Sequence, residues 1–254
     1  MKGCQEKMSS YHKFAQFYDK LTDNVDYKKR AEYFNKIINL HPNDGKILVD
    51  LGCGTGSMCE EFAKLGFDVI GVDNSCEMLN CAMDKKFLSG SDIMYLCQSI
   101  DKLDLYGTID VAISTLDTLN HITDKKVLQD VFNKVSLFLN AGGLFLFDVN
   151  TLYKHENILA DNAFVYDYEE VFCVWQNNVQ NEGIVEISLD FFCTNEDKTY
   201  SRYSENFKER AYSHKQILKM IDVAGLKLLN VYDDDSFFPP SETSQRLVYV
   251  TTKE

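Results

Sequence analysis

No stretch of the 254 residues approaches the roughly 20 consecutive apolar side chains that a membrane-spanning helix requires. The first residues, Met1-Lys2-Gly3-Cys4-Gln5-Glu6-Lys7, lack the apolar segment of a secretory signal, so a cytoplasmic protein is expected. Basic side chains are few beside acidic ones: 26 Lys and Arg face 39 Asp and Glu, a formal net charge of −13. That balance opposes attraction to a phosphate backbone and disfavours a tRNA, rRNA or DNA partner. The short basic runs Lys28-Lys29-Arg30 and Lys85-Lys86 read as solvated helix faces. The eight cysteines include no C-x-x-C pair and no ordered spacing. They read as reduced thiols, neither a disulfide framework nor a zinc site, and no metal is expected. What remains is a chain long enough to bury a sizeable core, as one large α/β domain or a core with a modest insertion.

Residues 46–57, Lys-Ile-Leu-Val-Asp-Leu-Gly-Cys-Gly-Thr-Gly-Ser, organise the rest. Ile47, Leu48, Val49 and Leu51 form the short apolar run of a parallel strand covered on both faces. Gly52, Gly54 and Gly56 remove Cβ atoms where the chain must turn and let a ligand approach its backbone. A helix starting at Ser57 then aims free N–H groups at whatever lies over the turn. A second apolar strand (Val69 to Val72) ends in Asp73, roughly 20 residues past the glycines, where a carboxylate can accept both ribose hydroxyls of a nucleoside. The loop lacks the G-x-G-x-x-G spacing of a dinucleotide site, which argues against an NAD(P) oxidoreductase.

Val-Asp-Leu-Gly-Cys-Gly-Thr-Gly (49–56) closely resembles the first motif of class I S-adenosylmethionine-dependent methyltransferases. The resemblance implies S-adenosylmethionine as cofactor and S-adenosylhomocysteine as its product. It implies that Asp50 lies near the methionine amino group, that Gly52, Gly54 and Gly56 form the cradle, and that Asp73 and Asn74 serve the ribose. Tyr11-x-x-Phe14-Ala15-x-x-Tyr18-Asp19-x-Leu21, followed by Tyr27, is similar to a segment of a bacterial small-molecule subgroup in which such tyrosines cap the ligand. An aromatic face there would stabilise a sulfonium. Relatives often carry Trp where this chain has Arg30. The family's adenine site falls at Ser99-Ile100, with Ser99 where an Asp is common, and Met78 could cover one face of the base.

The remaining pattern predicts helices over 9–22 and 26–40, with Asp26 as an N-cap of the second, then over 57–65, 76–86 and 124–139. Strands fall at 93–97, 109–114 and 144–150, with Asn140-Ala141-Gly142-Gly143 stopping the preceding helix. The fold class is α/β: a doubly wound, mostly parallel seven-stranded sheet, Rossmann-like, with an antiparallel terminal strand and a small inserted antiparallel β-sheet lid. The division expected is 1–45 as an N-terminal helical cap, 46–150 and 213–254 as the cofactor-binding core, and 151–212 as the lid. Within the lid, 164–175, 184–193 and 199–212 read as a meander, separated at Gln176-Asn177-Asn178 and Asn195-Glu196-Asp197-Lys198. A helix over 213–225 and strands over 226–233 and 246–252 complete the sheet.

Leu116, Asp117, Asn120 and His121 follow the fourth strand, at the switch point where ligands bind in such sheets. Glu209-Arg210-Ala211-Tyr212 is similar to a Glu-Arg-x-Tyr signature of the same subgroup, so Arg210 could clamp an acceptor carboxylate while Tyr212 donates a hydrogen bond. Asp117, Asn120, His121, Arg210 and Tyr212 are the acceptor-side and catalytic candidates. Asp117, Asp148 and Asn150 stand where a cation could sit, but read more simply as loop anchors. The function expected is methyl transfer by in-line displacement to a small-molecule N, O or C nucleophile under the lid, by a monomer or homodimer. An RNA or protein methyltransferase and a non-catalytic S-adenosylmethionine-binding module are the alternatives.

Overall fold

A computed structural model describes residues 18–41, 45–195 and 197–254. In chain order the elements are α1 (Tyr27–Ile38), β1 (Ile47–Leu51), α2 (Ser57–Lys64), β2 (Asp68–Asp73), α3 (Cys76–Ser89), β3 (Met94–Cys97), β4 (Ile109–Ser114), α4 (Lys125–Phe138) and β5 (Leu139–Asn150). Then come β6 (Ala163–Asp167), β7 (Val171–Val179), β8 (Ile184–Thr194), β9 (Tyr200–Arg210), α5 (His214–Val223), β10 (Leu226–Asp233) and β11 (Arg246–Lys253). Seven strands form one sheet in the order β10-β11-β5-β4-β1-β2-β3, and four form a second in the order β6-β7-β8-β9. β1 to β5 run parallel, and β11 lies antiparallel between β5 and β10. The chain thus crosses over after β3 to the other side of β1, which puts the ends of β1 and β4 at a switch point.

Side-chain alternation along the buried strands sends one set to each face. Val49, Leu51, Ala112, Phe145 and Phe147 meet Leu128, Val131, Phe132 and Val135 of α4 and Ile217 and Ile221 of α5. Leu48, Val69, Val111, Ile113 and Leu146 meet Phe34, Ile37 and Ile38 of α1 and Met58, Cys59 and Phe62 of α2. Four of these five α-helices begin on a capping side chain, and α2 begins on Gly56 without one. Asp26 accepts from Lys29 N, Ser75 from Met78 N, Asp124 from Lys126 N and Val127 N, and Ser213 with Gln216 forms a capping box.

Several sequence expectations need correction. Asn140-Ala141-Gly142-Gly143 does not stop a helix. Leu139 is already extended and pairs with Ile109, and the glycine stretch forms a bulge, with φ +76° at Gly142, before pairing resumes at Leu144. The inserted meander has four strands, because 164–175 is split by a turn at 168–170. Gln176-Asn177-Asn178 lies inside β7. Asn177 can sit there because its amide is satisfied by Trp175 Nε1 (2.6 Å) and Asn162 O (3.1 Å), and the turn falls instead at Glu182-Gly183, both with positive φ. Lys154–Leu159 forms a π-helix that no periodicity announced. Cys76 and Cys97 form a disulfide, Cα atoms 5.9 Å apart, contrary to the expectation of reduced thiols. The end of β3 pairs with Asp73 at the end of β2, and α3 begins three residues later, which brings the two sulfurs together. Among the described residues Cys53, Cys59, Cys81 and Cys173 are free thiols.

One face of the small sheet is apolar: Val171, Cys173, Val185, Ile187, Leu189, Phe191 and Cys193 are buried, and Leu21 from the N-terminal segment packs against them. Among the described residues no helix is long and apolar enough to cross a membrane.

Candidate active site

The glycine turn leaves β1 by donating Gly52 N and Cys53 N to the same carbonyl, Val72 O, at 2.7 and 3.0 Å. The three glycines do different work. A Cβ on Gly52 would strike Thr118 Cγ2 at 2.2 Å, and one on Gly56 would strike the Tyr95 hydroxyl at 2.4 Å. At Gly54, with φ +55°, nothing lies within 4 Å of that position, so this backbone faces open space. The space is a narrow pocket of about 30 Å³ lined by Tyr18, Tyr27, Asp50, Gly52, Cys53, Gly54, Thr55, Ser57, Met58, Thr115, Leu116 and Thr118.

Asp50 is buried in the cavity wall, and its carboxylate accepts the Cys59 thiol at 3.2 Å. Burial pushes its pKa up to about 7, against a lowering by that hydrogen bond and a further rise from Asp73. Asp73 accepts Gly54 N at 2.9 Å on one oxygen and Ser75 N at 2.8 Å on the other. Asn74 is exposed beside it, and Met78 is buried in the first turn of α3. Ser99 donates its hydroxyl to Asp101, opening the short helical turn that holds Ile100. Asp101 is thus the carboxylate of this loop.

The N-terminal segment is fastened over the glycine turn by Asp19, which accepts the Thr55 hydroxyl at 2.6 Å and pairs with Lys85 Nζ at 2.7 Å. Lys85 also donates to Thr55 and Ser57. This places Tyr18 in the cavity, with Tyr27 beside it donating to Thr22 Oγ1 at 2.9 Å. Burial raises the pKa of both phenols, so they stay neutral. Tyr11 lies outside the described residues.

The loop after β4 forms the opposite wall. Leu116 and Asp117 both take left-handed backbone, φ +57° and +61°, which is unfavourable for Leu116 and better tolerated by the short polar side chain of Asp117. Asp148, fully buried at the end of β5, holds the turn by accepting Leu116 N at 2.8 Å and Asp117 N at 3.0 Å. Its charge is met by Arg30 at 2.7 Å and Arg246 at 3.0 Å, and these guanidinium groups hold its carboxyl below the usual range in spite of burial. Arg30 also reaches Asp234 and Asp235, both at 3.1 Å, and Arg246 stands 3.6 Å from Asp117. Asp148 therefore spends its acceptor capacity on the protein and has none left for a metal ion.

Asp117 stands between the cavity and a second polar cluster. Burial raises its pKa, Arg246 opposes, and Glu209 raises it further. Asn150 Nδ2 donates to Asp117 Oδ2 at 3.3 Å and to Glu209 Oε2 at 3.4 Å, and Lys154 Nζ donates to Asn150 Oδ1 at 2.9 Å. Glu209, at the end of β9, is buried between His121 (3.8 Å) and His155 (3.7 Å). Burial works against its charge, but the two histidines and Lys154 keep its pKa lowered.

Of the acceptor-side candidates, the structure brings Asp117 and His121 to this cluster. His121 packs on Phe207 with ring centroids 5.0 Å apart. Asn120 is fully buried and ties the strand ends together, accepting Asn150 N at 2.8 Å and donating to Arg210 O at 2.8 Å. Arg210 turns to Glu182 at 3.2 Å, and Tyr212 is buried in the main core with its hydroxyl donating to Ile122 O. Strand alternation ends at Arg210, so these two side chains do not share a face. Asp19, Thr55, Lys154, His155, Glu209 and Arg246 were not singled out from the sequence. Asp19, Thr55 and Glu209 stand within the quoted motifs, but the positions of Lys154, His155 and Arg246 carried no such signal.

Residues 48–143 match the model of a family described as a methyltransferase domain. The chain is 31% identical over 246 residues to a protein of Geobacillus sp. (strain WCH70) provisionally called a methyltransferase, covering 96% of this chain and 100% of that one. The crystal structure of an S-adenosylmethionine-dependent methyltransferase from Clostridium acetobutylicum matches with a TM-score of 0.88 and 32% identity, over 96% of this chain and 98% of that chain. An amino pentose methyltransferase from Micromonospora echinaspora, solved with S-adenosylmethionine bound, shares the fold at a TM-score of 0.73 and 17% identity, over 91% and 92% of the two chains.

Proposed function

Because the chain belongs to the S-adenosylmethionine-dependent methyltransferases, we propose that it methylates a small-molecule N, O or C nucleophile held between the glycine-turn cavity and the 151–212 lid. The observation that carries this reading is the position of Asp117, in electrostatic reach of Tyr18 and Tyr27 on the cavity side and of Glu209 and His121 on the lid side.

The residues present fit the cofactor. Gly54 faces open space where a Cβ would intrude. Asp73 uses one acceptor site on each oxygen for a backbone N–H and keeps another on each for a ribose hydroxyl. Asp50 supplies a buried carboxylate for an ammonium, while Ile100 and Met78 supply apolar surface for a base. When bound, S-adenosylmethionine supplies a methyl group on positively charged sulfur. The chain's own task is then to align and desolvate the nucleophile. Tyr18 and Tyr27, held neutral, present ring faces that favour a cation. The N-terminal segment excludes water, because Asp19 fixes it to the turn and Leu21 packs on the lid. Asp117, its pKa raised, is the group placed to take a proton from a protonated acceptor.

Calorimetric titration of the intact chain with S-adenosylmethionine and S-adenosylhomocysteine should give one site for each. Absence of binding by normally folded protein would reject the proposal.

A further inference from the structure

Resting on that reading, we propose that the methyl acceptor is an amine that arrives as a cation, and that Glu209 together with Asp117 selects it. Around the acceptor side, five carboxylates (Asp117, Asp148, Glu209, Asp234 and Asp235) face three cations (Arg30, Lys154 and Arg246), which leaves negative charge over. The two guanidinium groups pair with Asp148, Asp234 and Asp235, and Arg246 also stands 3.6 Å from Asp117. Lys154 donates to the Asn150 amide and forms no ion pair with either Asp117 or Glu209 among the described residues. The surplus therefore falls on Glu209, which has no Lys or Arg partner among the described residues, and less fully on Asp117, which has only the long Arg246 contact. One amide nitrogen separates them, through long bonds of 3.3 and 3.4 Å.

Both are short of donors. Glu209 Oε1 accepts no hydrogen bond among the described residues, with His121 Nε2 3.8 Å away. His155 gives an independent sign of the same shortage. Its Nδ1 lies 3.0 Å from Gly183 O, which can only accept, so Nδ1 carries the proton. Nε2 stands 3.7 Å from Glu209 Oε2, beyond hydrogen-bond reach, and is buried without a partner. A buried carboxylate with an unbonded oxygen calls for N–H groups, of which an ammonium has several and a carboxylate or ether has none. A carboxylate acceptor would instead add a further negative charge to a desolvated site.

The chemistry balances with the groups in place. The bound ammonium gives one proton to the Asp117 carboxylate, and its freed lone pair forms the new N–C bond. As the S–C bond breaks, its electron pair stays on sulfur, and the positive charge passes to the methylated nitrogen. His121, half-exposed beside Glu209, is placed to return the proton from this cluster to solvent.

The test incubates the intact protein with methyl-labelled S-adenosylmethionine and a small-molecule extract of bacterial cells split by ion exchange into cationic, neutral and anionic fractions. Label is expected in the cationic fraction. Glu209→Gln should lower kcat/KM for that fraction at least about tenfold, the loss expected of one charge-assisted hydrogen bond, with most of the change in KM. Its S-adenosylhomocysteine affinity by calorimetry should stay within about twofold, since Glu209 lies outside the cofactor cavity. Label in the neutral or anionic fraction only, or in none, overturns the proposal, as does unchanged kcat/KM in Glu209→Gln. Intact cofactor binding alongside any of these outcomes leaves the methyltransferase assignment standing, whereas loss of cofactor binding by the wild type would remove both.

Discussion

Replacing Asp50 by Asn should make the ligand-free protein more stable at neutral pH while weakening its hold on the methyl donor. Asp50 is nearly isosteric with Asn, buried, and bonded in its side chain to Cys59 at 3.2 Å. Its folded pKa is pushed up from 3.8 to about 7, mainly by burial. The unfolded carboxylate therefore ionises first, so the native state loses stability as pH rises from near 4 to near 7 and nothing further above that. The full gap is worth about 4 kcal/mol, of which about 2 kcal/mol falls between pH 5.5 and 8.5. That interval stays above the isoelectric point near 4.8. Urea denaturation of wild type and Asp50→Asn at both pH values should show the variant gaining about 2 kcal/mol relative to wild type on going to pH 8.5. In the same variant S-adenosylmethionine should bind at least about tenfold more weakly at pH 8, because an amide cannot neutralise an ammonium. A stability difference that is flat within about 0.5 kcal/mol across the interval would refute the argument, because Asp50 would then be ionised at little cost.

Two further substitutions probe other parts of the site. Asp19→Asn removes the anchor to Lys85 and weakens that to Thr55; the N-terminal segment should become readily cleaved by protease and cofactor affinity should fall about threefold to tenfold, with a global unfolding midpoint little changed. Arg30→Met leaves Asp148, Asp234 and Asp235 with one guanidinium among them; chemical denaturation should register a loss of about 3–5 kcal/mol, and a loss under about 1 kcal/mol would show that the cluster is solvated.

The parts of this molecule that a sequence reader can see are those set by neighbours in the chain. The apolar run of β1, the glycines and Asp73 are fixed by local backbone needs, and each stands where its pattern put it. The alternation Ile187, Leu189, Phe191, Cys193 likewise marked the buried face of the small sheet. What stayed hidden depends on partners far away in sequence. Gln176-Asn177-Asn178 looked like a turn because polar trios usually are, but Trp175 and Asn162 supply the hydrogen bonds that let it remain a strand. Cys76 and Cys97 meet only once β2, β3 and α3 are in place. Arg30, read as part of a solvated face, is buried because Asp148 and the segment after β10 close over it. Glu209 and Arg210 are adjacent in the quoted signature, yet the strand sends Glu209 to His121 and His155 and Arg210 to Glu182.

The left-handed turn at Leu116-Asp117 is held by Asp148, and Asp148 is balanced by Arg30 and Arg246, one early in the sequence and the other late. A nascent chain that has not yet delivered Arg246 can build β1 to β5 and the glycine turn, yet its Asp148 is short of one counter-charge. Truncation or proteolytic nicking before Arg246 would do the same to a finished chain. Cofactor capture and methyl transfer should then part company: fragments ending ahead of β11 that still fold would retain the donor's cradle while the wall bearing Asp117 loosens. Methyl transfer should thereby depend on β11 being in place to supply Arg246.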